Sequence, residues 1–176
     1  MKARCLIAAL SSTIVGLGLL AAPVAAQSPV VGVANPEALF TDKNPTVNKN
    51  KQAALRIMRE LLQCGHWSDA GNWLTERYIQ HNPLAKDGLK PVQEYFANRP
   101  RTPTCDKLIT PIVAVLGEGD LVAVIIGRSL PKPGGKPGET YTTSWFDMWR
   151  FVDGKADEHW DAATLPTAPP PPRPAQ

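Results

Sequence analysis

The period of apolar positions changes midway along the chain. Between Val47 and Cys64, Ala54, Leu55, Met58, Leu61 and Leu62 recur at helical spacing, and Lys49, Lys51, Arg56, Arg59 and Glu60 take the other faces. One apolar stripe of this kind marks an amphipathic helix, with Thr46 as N-cap and Gly65 as its stop. A second helix is predicted from Ser68, carrying Trp73 and Leu74 inward and breaking near Tyr78. Pro83 pushes Asn82 out of the helical region, which leaves His81 and Asn82 on an irregular segment. Gly88 to Asn98 reads as a third helix, with Pro91 in its first turn and Val92, Tyr95 and Phe96 apolar.

From Leu108 onward the pattern is that of strands. Leu108–Leu116 and Leu121–Ser129 are rich in β-branched residues and are joined by Gly117-Glu118-Gly119-Asp120, a hairpin signal. Pro111 within the first run calls for an edge position or a bulge. Pro131–Gly138 is a Pro/Gly/Lys loop, after which Thr140–Phe151 and Lys155–Ala162 complete four antiparallel strands. Helices first and a curled antiparallel sheet after them make an α+β plan, a cone whose open end can hold a small molecule.

The flanks change the charge picture. Lys2 and Arg4 precede an uncharged apolar run from Leu6 to Ala22, and Val24-Ala25-Ala26 follows, which together predict a cleaved export signal over residues 1–26. Those two are the only charged residues there, so their loss leaves 17 basic against 16 acidic side chains, from 19 and 16 in the whole chain. A nearly neutral domain carries no basic footprint for nucleic acid, and no membrane segment remains after cleavage. Residues 27–45 read as a flexible leader, with a helical turn at Pro36–Phe40. Residues 46–165 read as one domain, and 166–176 as a disordered proline-rich tail. Cys64 and Cys105 are the cysteines left in a compartment that permits a bridge; they are either joined or two separate thiols.

Chemistry concentrates at the end of the domain, in SWFDMWRFVDGKADEHWDA from Ser144 to Ala162. Two hairpin registers fit it. A two-residue Asp153-Gly154 turn pairs Asp147 with Trp160, and a three-residue loop with Gly154 left-handed pairs Asp147 with His159. Because side chains alternate strictly, the choice decides which face Asp161 occupies. The three-residue loop is expected, because it puts Trp145, Asp147, Trp149, His159 and Asp161 on one aromatic-lined wall. Met148, Arg150, Glu158 and Trp160 then share the other face, and Lys155 and Asp157 are solvated near the turn. Carboxylates in such a wall suit proton transfer, with Asp147 orienting His159; the competing reading is a buried polar pair that merely satisfies itself. His66 reads as a capping or surface residue. No H-x-x-x-H or C-x-x-C spacing organises a metal site, and no G-x-S-x-G, Walker or dinucleotide motif supports a cofactor.

YIQHNP at Tyr78–Pro83, the helix GLKPVQEYF, and WFDMWRFVDGKADEHWD at Trp145–Asp161 together resemble the SnoaL-like polyketide cyclases of the NTF2-like superfamily, over about Val47 to Leu165. The resemblance implies an NTF2-like cone with three N-terminal helices packed in a curled antiparallel sheet. It also implies cofactor-independent acid/base chemistry, such as aldol condensation, cyclisation or isomerisation, on a small apolar carbonyl compound. In that reading Asp161 takes a proton from carbon, and Asp147 stands where the cyclases carry a pocket histidine. His81, Asn82 or Tyr78 steadies the enolate oxygen, and Trp145 and Trp149 line the ligand. A homodimer through the outer face of the sheet is implied as well. The alternative is a non-catalytic periplasmic binding protein for a small hydrophobic ligand.

Overall fold

Asn44 starts the first helix: its side chain accepts from the N–H groups of Thr46 and Val47 at 2.9 and 3.2 Å, and Pro45 fills the first helical position. The cap is therefore Asn44 and not the expected Thr46. The computed structural model describes residues 27–166, and the signal expected at 1–26 and the tail beyond Pro166 lie outside them. Helix α1 (Pro45–Arg56) continues as a π-helical stretch over Ile57–Gln63 and stops at Gly65, whose φ is 71°. The wider turn carries Ile57, Met58 and Leu61 into the core. Among the described residues no helix is long and apolar enough to cross a membrane.

The predicted second helix is largely absent. Trp67–Asn72 forms a short 3-10 helix, and strand β1 (Leu74–Gln80) follows it directly. Leu74 and Tyr78 of that strand are buried, on one face of the extended chain, and its pairing with β5 slips between Leu74 and Ile79. A spacing of four falls on one face of a strand as well as of a helix, so it does not separate the two. Helix α2 (Leu89–Phe96) forms where predicted, entered from Gly88 at φ 102°.

The sheet has five strands, not four, in the order β1-β5-β4-β3-β2, with β2 at Ile112–Glu118, β3 at Leu121–Pro131, β4 at Thr140–Val152 and β5 at Lys155–Asp161. Strands β2 to β5 are antiparallel neighbours, while β1 runs parallel to β5, so the sheet is mixed rather than purely antiparallel. The α+β plan holds. β2 begins just after Pro111, lies at an edge and is bulged between Ile112 and Ala114, the two accommodations a proline there calls for.

The segment expected to be a flexible leader is tied down. Val33 N–H donates to the Ile112 carbonyl at 2.8 Å, Val30 N–H to Thr142 Oγ1 at 2.9 Å, and Phe40, in the 3-10 helix Pro36–Phe40, is fully buried. Backbone donors that find sheet partners and a phenyl ring that finds the core outweigh a proline-rich composition. Cys64 and Cys105 are bridged, with Cα atoms 5.8 Å apart. Beside the bridge the buried Gln63 donates to the carbonyls of Thr104 and Lys107 and accepts from Ile109 N–H, fixing the otherwise irregular 97–111 connection to the end of the helix.

Candidate functional site

The wall of the site depends on how β4 meets β5. Val152 faces Lys155, so Asp153-Gly154 is a two-residue turn, with φ of 51° and 84° at the two positions. The three-residue loop is thus absent. One step later the pairing shifts: Phe151 faces Ala156, but Arg150 faces Glu158, leaving Asp157 as the extra residue of a bulge. Asp147 consequently lies opposite Asp161, Met148 opposite Trp160 and Trp149 opposite His159. Neither anticipated register occurs, yet the bulge restores the face that the longer loop would have given, because it too changes the count by one.

Asp157 holds that bulge and is not solvated as expected: it is 3% exposed. Its carboxylate accepts from Thr75 Oγ1 at 2.7 Å and from the Arg77 guanidinium, both on the looped-out part of β1. Arg77 draws the Asp157 carboxyl below the usual carboxylate range, with Thr75 acting the same way against the opposing effect of burial. The irregularities in the two neighbouring strands therefore face each other and share one ion pair.

Inside the cone lies a cavity of about 530 Å³, within the range of small-molecule sites. Ile57, Met58, Leu74, Val92 and Phe96 make its apolar body, and Tyr78, Asn82, Trp145, Asp147, Trp149, His159 and Asp161 line it too. Seven of the eight residues singled out from the sequence are thus brought together. The exception is His81. Its ring stacks on Trp160 with centroids 4.8 Å apart, and its Nε2 lies 2.8 Å from Glu158 Oε1, on the outer face of the sheet. His81 leaves the site because β1 ends at Gln80 and successive side chains there point opposite ways. On that outer face Arg150 donates to Glu158 Oε2 at 3.0 Å, as the alternation predicts.

Asp147 and His159 are 7% and 8% exposed. His159 Nε2 is 3.2 Å from Asp147 Oδ1, and His159 Nδ1 is 2.8 Å from Gln80 Oε1. The Gln80 carbonyl oxygen only accepts, so Nδ1 carries the hydrogen, and a neutral ring would then turn a lone pair toward a carboxylate. A proton must sit on one member of the Asp147–His159 pair. Asp161 is held differently: Asn82 Nδ2 donates to its Oδ2 at 2.6 Å and Ala163 N–H to its Oδ1 at 2.9 Å. Tyr78 is 4% exposed, and its hydroxyl accepts from Trp149 Nε1 at 3.0 Å, which leaves its own hydrogen free to donate. Burial pushes the phenol far up from its ordinary value, so Tyr78 remains a donor.

Asp147, His159 and Asp161 each present a ligand atom, all within 4.8 Å of one another. Two carboxylates and an imidazole can hold a divalent ion, but an ion here would compete with Asn82 and Ala163 for both oxygens of Asp161. Two functional candidates escaped the sequence reading. Gln80 sets the His159 tautomer, and Arg128 lines the cavity with its guanidinium carbon 3.7 Å from the centroid of the Trp145 ring. Strand alternation from the buried Val122, Val124 and Ile126 was the available signal for Arg128.

No family model matches this sequence, and no curated protein matches it. Solved structures do match. A candidate SnoaL-like polyketide cyclase of Jannaschia sp. CCS1 aligns with a TM-score of 0.48 and 19% identity, covering 69% of this chain and 91% of that one. An NTF-2 like protein of unknown function from Burkholderia xenovorans LB400 gives 0.46 and 15%, covering 73% and 92%. A candidate ketosteroid isomerase of Kribbella flavida DSM 17836 gives 0.45 and 14%, covering 72% and 85%. At these values the likeness decides nothing about the site, and what it can do follows from its own side chains.

Proposed function

We propose that this is an exported protein, its signal in residues 1–26, that performs cofactor-independent acid/base catalysis on a small apolar carbonyl compound. One observation carries the reading: a carboxylate held ready by two donors, Asp161, lies within 4.8 Å of a pair, Asp147–His159, that must itself hold a proton. A base and a proton-bearing group on one wall of an apolar cavity are what enolisation needs.

The steps follow. Asp161 takes a proton from the carbon next to the carbonyl; the C–H bond breaks and its electron pair moves to the carbonyl oxygen. The Tyr78 hydroxyl, already oriented by Trp149, donates to that oxygen as negative charge develops. The enolate then either attacks a second carbonyl in the same molecule, closing a ring, or takes a proton at a different carbon. His159 supplies the proton in either case, and the proton taken by Asp161 passes through solvent back to the Asp147–His159 pair, which restores both groups. The apolar body formed by Met58, Val92 and Phe96 holds the rest of the ligand. Apolar side chains on the outer sheet face, with Phe146 49% and Leu116 61% exposed, support pairing of two copies there.

A second reading, a binding protein without catalysis, is favoured by the fact that Asn82 and Ala163 already satisfy both oxygens of Asp161. Exchange of α-hydrogens in D2O separates the two. Aryl methyl ketones such as 2-acetonaphthone are incubated with the purified protein and followed by proton NMR. Exchange above the buffer rate that falls roughly 100-fold or more in Asp161→Asn supports catalysis. Exchange that is unchanged in Asp161→Asn rules out Asp161 as the base.

A further inference from the structure

The arginines of the described chain divide into two groups. Arg56, Arg59, Arg77 and Arg150 each reach a carboxylate, and Arg101 donates to the Ala97 carbonyl. The side chains of Arg99 and Arg128 make no hydrogen bond or ion pair among the described residues, and both of them line the cavity. Each instead rests on aromatic rings. Arg128 lies over Trp145 at 3.7 Å, and Arg99 lies over Tyr95 at 4.7 Å and Phe96 at 5.4 Å. Stacking fixes the plane of a guanidinium and leaves its five N–H donors free at the edge.

The anions nearest in kind, Asp147 and Asp161, do not use those donors. Asp161 accepts from Asn82 and Ala163, Asp147 from Trp145 Nε1 at 3.4 Å, and Asp147 also faces His159. Burial draws the Arg128 pKa down while Asp147 and Asp161 oppose it, and the guanidinium remains a cation on a residue that is exposed at the edge of the cavity. An oriented and unpartnered fork at that edge matches a planar oxyanion that arrives with the ligand.

We propose that the ligand is an amphipathic organic acid whose carboxylate is gripped by Arg128, with Arg99 adding a second positive charge to the same cavity. Its apolar body fills the space beneath, and this rests on the acid/base reading only in placing the reacting carbon near Asp161. The carboxylate supplies orientation: it fixes one end of an otherwise greasy molecule, so that one face of its carbonyl meets Tyr78 and Asp161. Free fatty-type acids and ring-bearing acids share this chemistry, and chain shape decides between them.

The test compares two flat probes of one shape, 2-naphthoate and the uncharged 2-naphthamide, titrated into the purified protein while its tryptophan fluorescence is followed. The acid is expected to bind at least tenfold more tightly at low salt, with an advantage that shrinks as salt rises. Arg128→Gln brings the ratio close to one by weakening the acid far more than the amide. Arg128→Lys retains part of it, because a point charge replaces the fork. Arg99→Gln lowers the ratio less. Near-ultraviolet circular dichroism checks that each variant is folded, and the wild-type ratio needs no variant at all. Equal affinity for the two probes, an acid that fails to bind at millimolar concentration, or a preference that survives in Arg128→Gln overturns the proposal. Failure of the catalytic reading looks different. Loss of the acid preference with exchange still dependent on Asp161 removes the anionic ligand alone. A strong preference without exchange leaves a binding site for organic acids.

Discussion

Strand β5 carries two inward carboxylates with opposite fates, Asp157 buried and Asp161 half-buried. Asp157 is 3% exposed, more deeply covered than Asp147 at 7%, yet it faces no cavity and is engaged by Arg77 and Thr75. Asp161, four residues on, looks into the cavity and is held only by neutral donors, Asn82 and a backbone N–H. Burial of an acid therefore does not identify a site here. What identifies it is the partner: a cation fixes Asp157 in its ionised state and ends its chemistry, whereas amide donors orient Asp161 without supplying a counter-charge. The two are linked, because the bulge that Asp157 occupies is what turns Asp161 inward. The two histidines repeat the contrast, His159 on the inner wall with Asp147 and His81 outside with Glu158.

The largest expected effect comes from removing the side chain that holds the bulge. Asp157→Val keeps the length of β5 but removes the anion that Thr75 and Arg77 engage, so the uninterrupted register of the two-residue turn, with Asp147 opposite Trp160 and His159 and Asp161 turned outward, competes with the bulged one. The variant is expected to lose roughly 2–3 kcal/mol of stability and to lose 2-naphthoate binding, read by thermal melting and titration. A variant that melts and binds like wild type would break the link between the two carboxylates.

Arg77→Ala is the next largest. It strands the Asp157 carboxylate, but the Arg77 side chain is 65% exposed, so the expected loss of stability falls well short of that of a sealed ion pair. Its pH dependence has a definite sign. Arg77 lowers the Asp157 pKa in the folded protein, so the contribution is complete above the unfolded value of about 3.9 and fades as pH falls through the folded value. Wild type is therefore expected to lose stability below about pH 4 more steeply than Arg77→Ala, in urea unfolding across pH 2–6.

The smallest effect belongs to His81→Ala. It removes a partly exposed contact to Glu158 and a stack on Trp160, so about 0.5–1 kcal/mol is expected, with exchange and probe binding unchanged. A large loss of binding in that variant would mean that the outer histidine communicates with the cavity and that the division between the two faces is incomplete.

Much of this was legible in the chain itself, and particular residues show where legibility stopped. The stripe Ala54–Leu55–Met58–Leu61 specified the first helix because a 3.6-residue period needs no partner to be read. The hairpin around Asp153-Gly154 and the shared face of Trp145, Asp147 and Trp149 followed from local turn chemistry and a period of two, but the three-residue loop expected there gave way to a two-residue turn. Ser68 and the inward Trp73 and Leu74 misled, because a capping residue before two large apolar side chains suits a short 3-10 turn running into a strand as well as it suits a helix. Arg128 lies inside the run Leu121–Ser129, where nothing local marks which of the two alternating faces lines a cavity.

The sequence alone determined the α+β order of elements, the aromatic and acidic content of the last two strands, and the near neutrality of residues 27–176. Only the tertiary structure decided that His159 and Asp161 join Asp147 inside. That outcome depends on a bulge pinned by Arg77, a residue 80 positions away in the chain from Asp157. The same holds for Gln80 choosing the His159 tautomer and for Asn82 steadying Asp161, contacts that span 79 positions each. Local patterns report backbone period and turn chemistry; a register defect stabilised by a distant ion pair leaves no periodic trace, because its free energy is gained only once the two strands have met.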